Sequence, residues 1–430
     1  MVGPHRVASF GPFARFGRSG SATRRDNPNL EASGNLQRVE FRSLTPDDAD
    51  GSLRMSRDAF GVPIAGHAAF TLGQGIHRWG LFDGRILAAK TVDREYISVI
   101  GGRPVTTAGI AGVAVAPEYR SLGLARSIMT DTLDRARARG AVISTLFRTA
   151  PALYRSLGYE QVAELVTAEL PVSALAGLRV LPRIRLRRAE AADAPAMRAV
   201  YMQLAAEGSC LLSRTGPCFA QSNAELVDAF DGVTLAIGES GSVDGYASWD
   251  RGEGYGPGAI FTVHDLLGLN SDAVASLLAM AASFGAVTPT VRLRTSGADP
   301  VHWLIPGAGW TATDVRQYLL RVVELVAAVE QRGWPASVSG VLQVSVQDQV
   351  CPWNTGNHRI VFDGGRAQVQ PGTGSGVQMT PTGLALFLAG GGVTSAALRR
   401  AGMLAGGSPA DDLLLDAAMA GPRPAILDYF

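Results

Sequence analysis

The stretch Val113-Ala-Val-Ala-Pro-Glu-Tyr-Arg-Ser-Leu-Gly-Leu-Ala-Arg126 carries residue types that can cradle a pyrophosphate. Its centre is Arg120-x-x-Gly123-x-Ala125, set between an apolar run and an amphipathic run with Ile128, Met129 and Leu133. Where a strand turns directly into a helix, the first backbone N–H groups of the helix have no intrahelical partner, and the helix dipole adds partial positive charge there. Gly123 lets the backbone approach phosphates with no Cβ in the way, and Arg120 and Arg126 can add charge-assisted hydrogen bonds. This chemistry assigns Val113, Ala114, Val115, Arg120, Ser121, Leu122, Gly123, Leu124, Ala125 and Arg126 to a phosphate-bearing co-substrate. The pattern alone matches about once by chance in a chain of this size, so its placement after an apolar strand and Pro117 carries the weight. An ordinary strand-to-helix turn is the competing reading. A dinucleotide fingerprint needs three glycines and a later acid, and a Walker loop needs Gly-Lys-Ser/Thr; neither pattern occurs.

The elements that must hold this loop are legible around it. Val39, Phe41 and Leu44 alternate like a strand, and Thr45-Pro46-Asp47-Asp48 reads as a helix start followed by Leu53, Met55 and Phe60. Trp79 to Lys90 reads as a hairpin about Asp83-Gly84, and a second strand pair surrounds Gly101-Gly102. The apolar strand Gly109–Ala116 leads to the loop, a helix from about Leu122 to Arg139 stops at Gly140, and Ala141–Phe147 is the next strand. The strand, polar turn and helix pattern recurs at Ile184–Pro195, followed by Met197, Val200 and Leu204, about 145 residues on. This is a diverged internal duplication. A third region begins near residue 316 with an expected helix Tyr318–Glu330. Alternation at Leu342, Val344 and Val346 follows, then a hairpin at Asp363-Gly364-Gly365 and helices capped near Thr380, Thr394 and Ser408.

Composition narrows the partners. Lys+Arg 39 against Asp+Glu 38 leaves a net charge of +1, so no broad basic field draws nucleic acid or an anionic membrane. Nowhere do about 18 apolar residues run together, so no membrane span is expected. Three cysteines, Cys210, Cys218 and Cys351, give neither a disulfide framework nor a metal spacing and read as free thiols, and the six histidines form no ligand pair. No metal is therefore expected. Residues 1–36, rich in Gly, Ser, Asn and Arg, read as a disordered tail or an upstream-called start, with a docking arm as the alternative. They lack a signal-peptide apolar region, which places the protein in the cytoplasm.

With Thr149-Ala-Pro-Ala-Leu-Tyr154-Arg-Ser-Leu-Gly158-Tyr159 downstream of the loop, the chain resembles the GNAT acetyltransferases, and along residues 37–430 the Eis family of that superfamily. On its own, Tyr154 reads as a core aromatic on a helix. The resemblance implies that Tyr154 protonates the departing CoA thiolate, with Thr149 beside the co-substrate acetyl-CoA. It further implies an α+β chain of two GNAT-like mixed-sheet α/β domains followed by a sterol-carrier-protein-like α+β domain. The expected bounds are 1–36 tail, 37–170 catalytic domain, 171–315 second domain without CoA, and 316–430 C-terminal domain. Asp299-Pro-Val-His-Trp-Leu304, Val326–Trp334 and Phe430 also look like this family. By the resemblance the carboxylate of Phe430 acts as base, ionised at neutral pH with an ordinary pKa near ~3.5. A homohexamer is likewise implied.

In the second domain Thr262–Asp272 stands where the phosphate loop would be; it lacks Arg-x-x-Gly-x-Ala and carries Asp265 and Asp272, acids expected to repel phosphate. The chain also departs from the aminoglycoside-acetylating members. Val62 follows Phe60-Gly61, and Tyr429 precedes Phe430, where those pockets carry acids. A small-molecule amine is expected as acceptor, and a polycation is expected to be a poor one. The alternatives from sequence are an inactive protein that binds a lipid or small molecule in the C-terminal domain, and an acyltransferase for a longer acyl-CoA.

Overall fold

The computed structural model describes residues 39–61, 73–296, 299–305 and 309–430. The expectations for residues 1–36 and for Val62 fall outside these. The chain forms two compact units: Met1–Arg94 with Ile110–Ala136, and Glu95–Gly109 with Arg137–Phe430.

The first unit is built from β1 (Val39–Ser43), α1 (Ala49–Phe60), β2 (Ile76–Asp83), the start of β3 (Ile86–Ile100), the end of β4 (Arg103–Val115) and most of α2 (Leu124–Ala138). β1 and β2 pair antiparallel from Val39↔Asp83 to Ser43↔Trp79, and β2 pairs with β3 from Ile76↔Arg94 to Asp83↔Ile86. The turn before α1 closes as a capping box of Thr45 and Asp48, and Arg42 grips Asp48 through two bonds of 2.7 and 2.9 Å. That grip holds the Asp48 carboxyl down at about 2. α1 ends on Gly61 in the left-handed region, φ +66°. Lys90 on β3 is buried and donates to Ser52 O at 2.5 Å and to the hydroxyls of Ser52 and Ser56. Burial, with Arg78 nearby, lowers its ammonium to about 8.

The second unit opens with β5 (Ile143–Phe147), α3 (Pro151–Ser156) and β6 (Glu160–Pro171). The duplicated pattern follows as β7 (Arg185–Arg188), α4 (Ala194–Glu207), β8 (Ser209–Leu212), α5 (Asn223–Asp228), β9 (Gly232–Ile237), β10 (Val243–Asp250), β11 (Ile260–Gly268), α6 (Ser271–Ala282), β12 (Thr290–Thr295) and α7 (Val301–Leu304). Here Arg187 grips Asp193 through two bonds of 2.7 Å, and Glu190 N donates to Asp193 at 2.9 Å. Arg42, Thr45 and Asp48 thus recur as Arg187, Glu190 and Asp193, each 145 positions later, so the repeat seen in the sequence is the same turn made by the same ion pair.

β13 (Thr311–Val322) lies antiparallel between β5 and β6. The expected helix from Tyr318 is therefore a strand as far as Val322, and α8 runs only over Leu325–Gln331. A continuous apolar run does not tell a buried strand from a helix, and here the slot between two strands decides it. The last region contains β14 (Gly340–Val346), β15 (Gly356–Asp363), β16 (Arg366–Pro371), β17 (Val377–Met379), α9 (Pro381–Ala389), α10 (Ser395–Arg400), β18 (Leu404–Gly406) and α11 (Pro409–Met419). Its sheet order is β16-β15-β14-β17-β18. Thr380, Thr394 and Ser408 cap the three helices as their sequence positions suggested. Trp334 packs against Phe362 and Phe387 at 4.9 and 5.0 Å.

One buried charge pair ties this last region to β13. Arg321, 1% exposed, donates to both oxygens of Asp348 at 2.7 and 2.8 Å, and Asp348 also accepts from the N–H groups of Val350 and Cys351. Removing one partner of such a pair leaves the other charged in an interior that does not solvate it. Asp348→Ala is expected to cost about 3–5 kcal/mol, measured by urea unfolding; a loss below 1 kcal/mol would show that water reaches Arg321.

Candidate active site

In the first unit, β4 passes into the phosphate-loop candidate with an interruption at Gly112, φ +58°, one residue before Val113. Ala114 is buried, while Val113 and Val115 are half-buried. A single turn at Pro117–Tyr119 leads to Arg120 in extended conformation, and Tyr119 is fixed by a 3.0 Å bond to Asp83. Ser121 has φ +64° and Gly123 φ +78°. A left-handed residue other than glycine is uncommon and costs energy, and such strain concentrates in functional loops. Leu124 is buried and anchors α2, with Leu122 and Ala125 half-buried around it, whereas Arg120, Ser121, Gly123 and Arg126 are exposed. The first bonds of the helix close from Arg126 N and Ser127 N onto Gly123 O at 3.0 and 3.1 Å, so the preceding N–H groups lie outside its ladder. Among the described residues, its two chain neighbours apart, no atom lies within 4 Å of where a Cβ on Gly123 would stand. The glycine serves φ and leaves its outer face clear, which suits a large anion such as a CoA pyrophosphate.

Tyr154, Thr149 and Phe430 all belong to the second unit. Tyr154 sits on α3, 3% exposed. Burial raises its pKa, the nearby Thr149 side chain only partly opposing this, so the phenol holds its proton through the neutral range. Tyr159 packs edge-on against Tyr154 at 6.0 Å and shares a 2.7 Å bond with Ser144. The glycine between them is required twice over: Gly158 has φ +85°, and a Cβ there would collide with Arg321 Nη1.

Phe430 is half-buried in an aromatic cluster, its ring 4.9 Å from Tyr96, 5.4 Å from Phe147 and 6.3 Å from Tyr318. Gly109 makes room for this cluster, since a Cβ there would strike the Tyr96 ring. The residues before Phe430 are held in turn. Ala425 N donates to Ser209 O at 2.8 Å, Arg294 donates to Leu427 O at 3.3 Å, and Arg214 Nε donates to Asp428 at 2.9 Å. Tyr429 is 54% exposed with Arg316 stacked 4.1 Å from its ring. Arg214 and Arg294 are absent from the sequence-derived site; no pattern around Ser213-Arg214-Thr215 marks them, because their partners lie far away in the chain.

The second domain departs from the sequence reading. Thr262–Gly268 is strand β11, not a loop, and Asp265 is a buried strand residue in a bidentate pair with Arg214 at 2.6 and 2.8 Å. A carboxylate neutralised in this way does not repel a phosphate, so that argument rests on Asp272 alone. The turn into α6 is only Leu269-Asn270, and the Asn270 side chain caps Ala273 N at 2.8 Å. The second domain satisfies its helix N-terminus from within, where the first domain places a glycine. Cys210 and Cys351 are buried, Cys218 half-buried, and all three are free thiols.

Comparison with known proteins agrees with this architecture. Acetyltransferase (GNAT) domain models match residues 40–162 and 211–335, and a sterol carrier protein domain model matches residues 325–427. An uncharacterized N-acetyltransferase of Streptomyces coelicolor is 29% identical over 290 residues, covering 62% of this chain and 67% of that protein. A GCN5-related N-acetyltransferase from Kribbella flavida is 28% identical with a TM-score of 0.79, covering 93% of this chain and all (100%) of the other. Eis1 from Mycobacterium abscessus shares the fold at 20% identity and a TM-score of 0.72, covering 91% of this chain and 100% of that one. The chain thus carries two GNAT acetyltransferase domains followed by a sterol-carrier-protein-like domain. It is an acyltransferase built on that fold.

If the clear face over Gly123 receives the pyrophosphate, Gly123→Asp adds bulk and negative charge beside it. Calorimetry is expected to show acetyl-CoA binding abolished in a folded variant. Unchanged affinity would remove the loop from the site.

Proposed function

We propose that the first domain is an N-acetyltransferase that moves the acetyl group of acetyl-CoA to a small amine, with the site organised as in the Eis family. The observation that carries this reading is the loop at 120–126, with its left-handed Ser121 and Gly123 and open outer face at a helix N-terminus. In this reading acetyl-CoA lies along Val113, Ala114 and Val115, with its phosphates on Arg120, Ser121, Leu122, Gly123, Leu124, Ala125 and Arg126, and Thr149 near its thioester. The amine attacks the thioester carbonyl directly, forming the C–N bond as the C–S bond breaks. A backbone N–H near Val115 polarises that carbonyl. The Phe430 carboxylate takes the amine proton through water, and Tyr154 gives its phenolic proton to the CoA thiolate.

The bounds we assign are 37–170 for the catalytic domain, 171–315 for a second domain that binds no CoA, and 316–430 for the third, with β13 crossing the last boundary. The interior of the third domain is filled by Trp334, Phe362 and Phe387, which supports a structural part over a lipid carrier. A cytoplasmic homohexamer is the corresponding state, checked by light scattering.

The acceptor carries little positive charge. Where the aminoglycoside-acetylating members carry acids, this chain has Val62 and Tyr429, and Arg316 stacks on Tyr429. Fewer acids mean weaker attraction for a polycation. In a thiol-release assay over a panel of amines, kanamycin-like aminoglycosides are expected to rank below smaller or more apolar amines in kcat/KM; the reverse order would refute this assignment.

The acid and base are tested together. Tyr154→Phe is expected to lower kcat by ~10²–10⁴ while acetyl-CoA affinity holds. Because burial raises the Tyr154 pKa above 10.0, the basic limb of kcat should appear only above that pH. Extending the chain beyond Phe430 converts the carboxylate to an amide, and is expected to leave binding of acetyl-CoA but almost no turnover. An N-terminal tag should be harmless. Full activity of the extended protein would take Phe430 out of the mechanism.

A further inference from the structure

We infer that Arg214 is a positioning residue, and that the second GNAT domain serves as a clamp that sets where the Phe430 carboxylate stands; the inference rests on the reading of that carboxylate as the base. Arg214 lies two residues past the end of β8 and sits in the left-handed region at φ +52°. Its guanidinium bridges two carboxylates, with Nη1 and Nη2 on Asp265 of β11 at 2.6 and 2.8 Å and Nε on Asp428 at 2.9 Å. The guanidinium stacks 4.1 Å from the Tyr201 ring, and Tyr201 Oη donates to Leu212 O at 2.6 Å. These contacts fix all three nitrogens of a planar group, which a lysine could not reproduce.

The same domain holds the tail at two further points. β8 takes Ala425 N on Ser209 O and bridges to Pro424, and β12 supplies Arg294 to Leu427 O. The Leu427 side chain packs with Val99, Tyr201, Ala205 and Leu211. Asp428 is therefore the tail residue whose side chain is held by an ion pair, two positions before Phe430. Two residues span at most about 7 Å, so beyond that anchor Phe430 swings on a short lever, which its ring then fixes among Tyr96, Phe147 and Tyr318. Displacing a catalytic group by about 1 Å costs on the order of 10²-fold in rate, so a charge pair two residues away can govern turnover without touching substrate.

The charges in the triad decide which variant to make. One guanidinium serves two carboxylates, Asp265 buried and Asp428 half-buried. Asp265 lies below its ordinary range: burial raises it, and Arg214, together with Arg294 and His264, lowers it by more. Asp428 lies above its range, raised by burial and by Asp265 more than Arg214 lowers it. Arg214→Ala would strand two carboxylates and risks unfolding, whereas Asp428→Ala leaves Arg214 and Asp265 paired one to one.

The test compares wild type, Asp428→Ala, Asp428→Asn and Arg214→Lys in the full chain. An aromatic-specific carboxypeptidase reads the tail directly, with release of Phe430 normalised to the urea-unfolded chains. For Asp428→Ala, release is expected to rise and kcat to fall, each about tenfold or more, with acetyl-CoA Kd unchanged. Asp428→Asn, which keeps an acceptor for Arg214 Nε, should recover part of both, and Arg214→Lys should lie between wild type and Asp428→Ala. Unaltered release from a folded Asp428→Ala overturns the clamp and leaves the base to the chain-extension test. A loss of acetyl-CoA affinity that parallels the loss of kcat overturns it too, as a general structural effect. Faster release with unaltered kcat means that the tail is held but is not the base, which overturns the carboxylate reading and the positioning role with it.

Discussion

A single guanidinium placed between a buried and a half-buried carboxylate is the interaction on which the far end of this chain depends. Carboxylates taken out of water lose several kcal/mol of solvation each, and only a well-formed pair recovers that loss. Arg214 meets the requirement for Asp265 with two parallel bonds and for Asp428 with its remaining nitrogen. The tail has no helix or sheet ladder of its own beyond the bridge at Pro424. Its course through residues 425–430 is set by side chains of the second domain and by aromatic packing, which makes the placement of Phe430 a property of tertiary structure alone.

The two GNAT domains show what a duplication keeps and what it releases. The turn at Arg42, Thr45 and Asp48 and its copy at Arg187, Glu190 and Asp193 keep the same bidentate pair because each must start a helix after a strand in the same way. The turns that lead into α2 and α6 differ. Gly123 has no side chain to offer the helix behind it, and the space where its Cβ would stand is clear of the other described residues. Asn270 caps its own helix and uses up one of the donors an anion would need. β11 carries Asp265 inward, and there its carboxylate holds Arg214.

Legibility in the sequence follows the range of the interaction. The caps at Thr380, Thr394 and Ser408 depend on residues three positions apart and can be read directly, and the candidate loop at 120–126 can be proposed from sequence because it is one contiguous segment. The strand at Thr311–Val322 was not readable as such. Its apolar run Tyr318-Leu-Leu-Arg-Val-Val is consistent with a helix, and only the slot between β5 and β6 makes it a strand. Asp265 was read as a loop acid because its neutralising partner lies 51 positions away. Tyr154 could be assigned only by likeness to a family, since nothing in its neighbours distinguishes an acid from a core aromatic.

The third domain enters the chemistry through Gly158. That residue must be glycine because Arg321 occupies the space a side chain would need, and Arg321 is held there by Asp348, which lies between β14 and β15. Pro381, the first residue of α9, lies against the same glycine. The end of α3, and with it the setting of Tyr154, is therefore shaped by a carboxylate almost two hundred residues further along the chain. A buried ion pair thus joins the third domain to the strand that stands between β5 and β6, and the position of α3 depends on it.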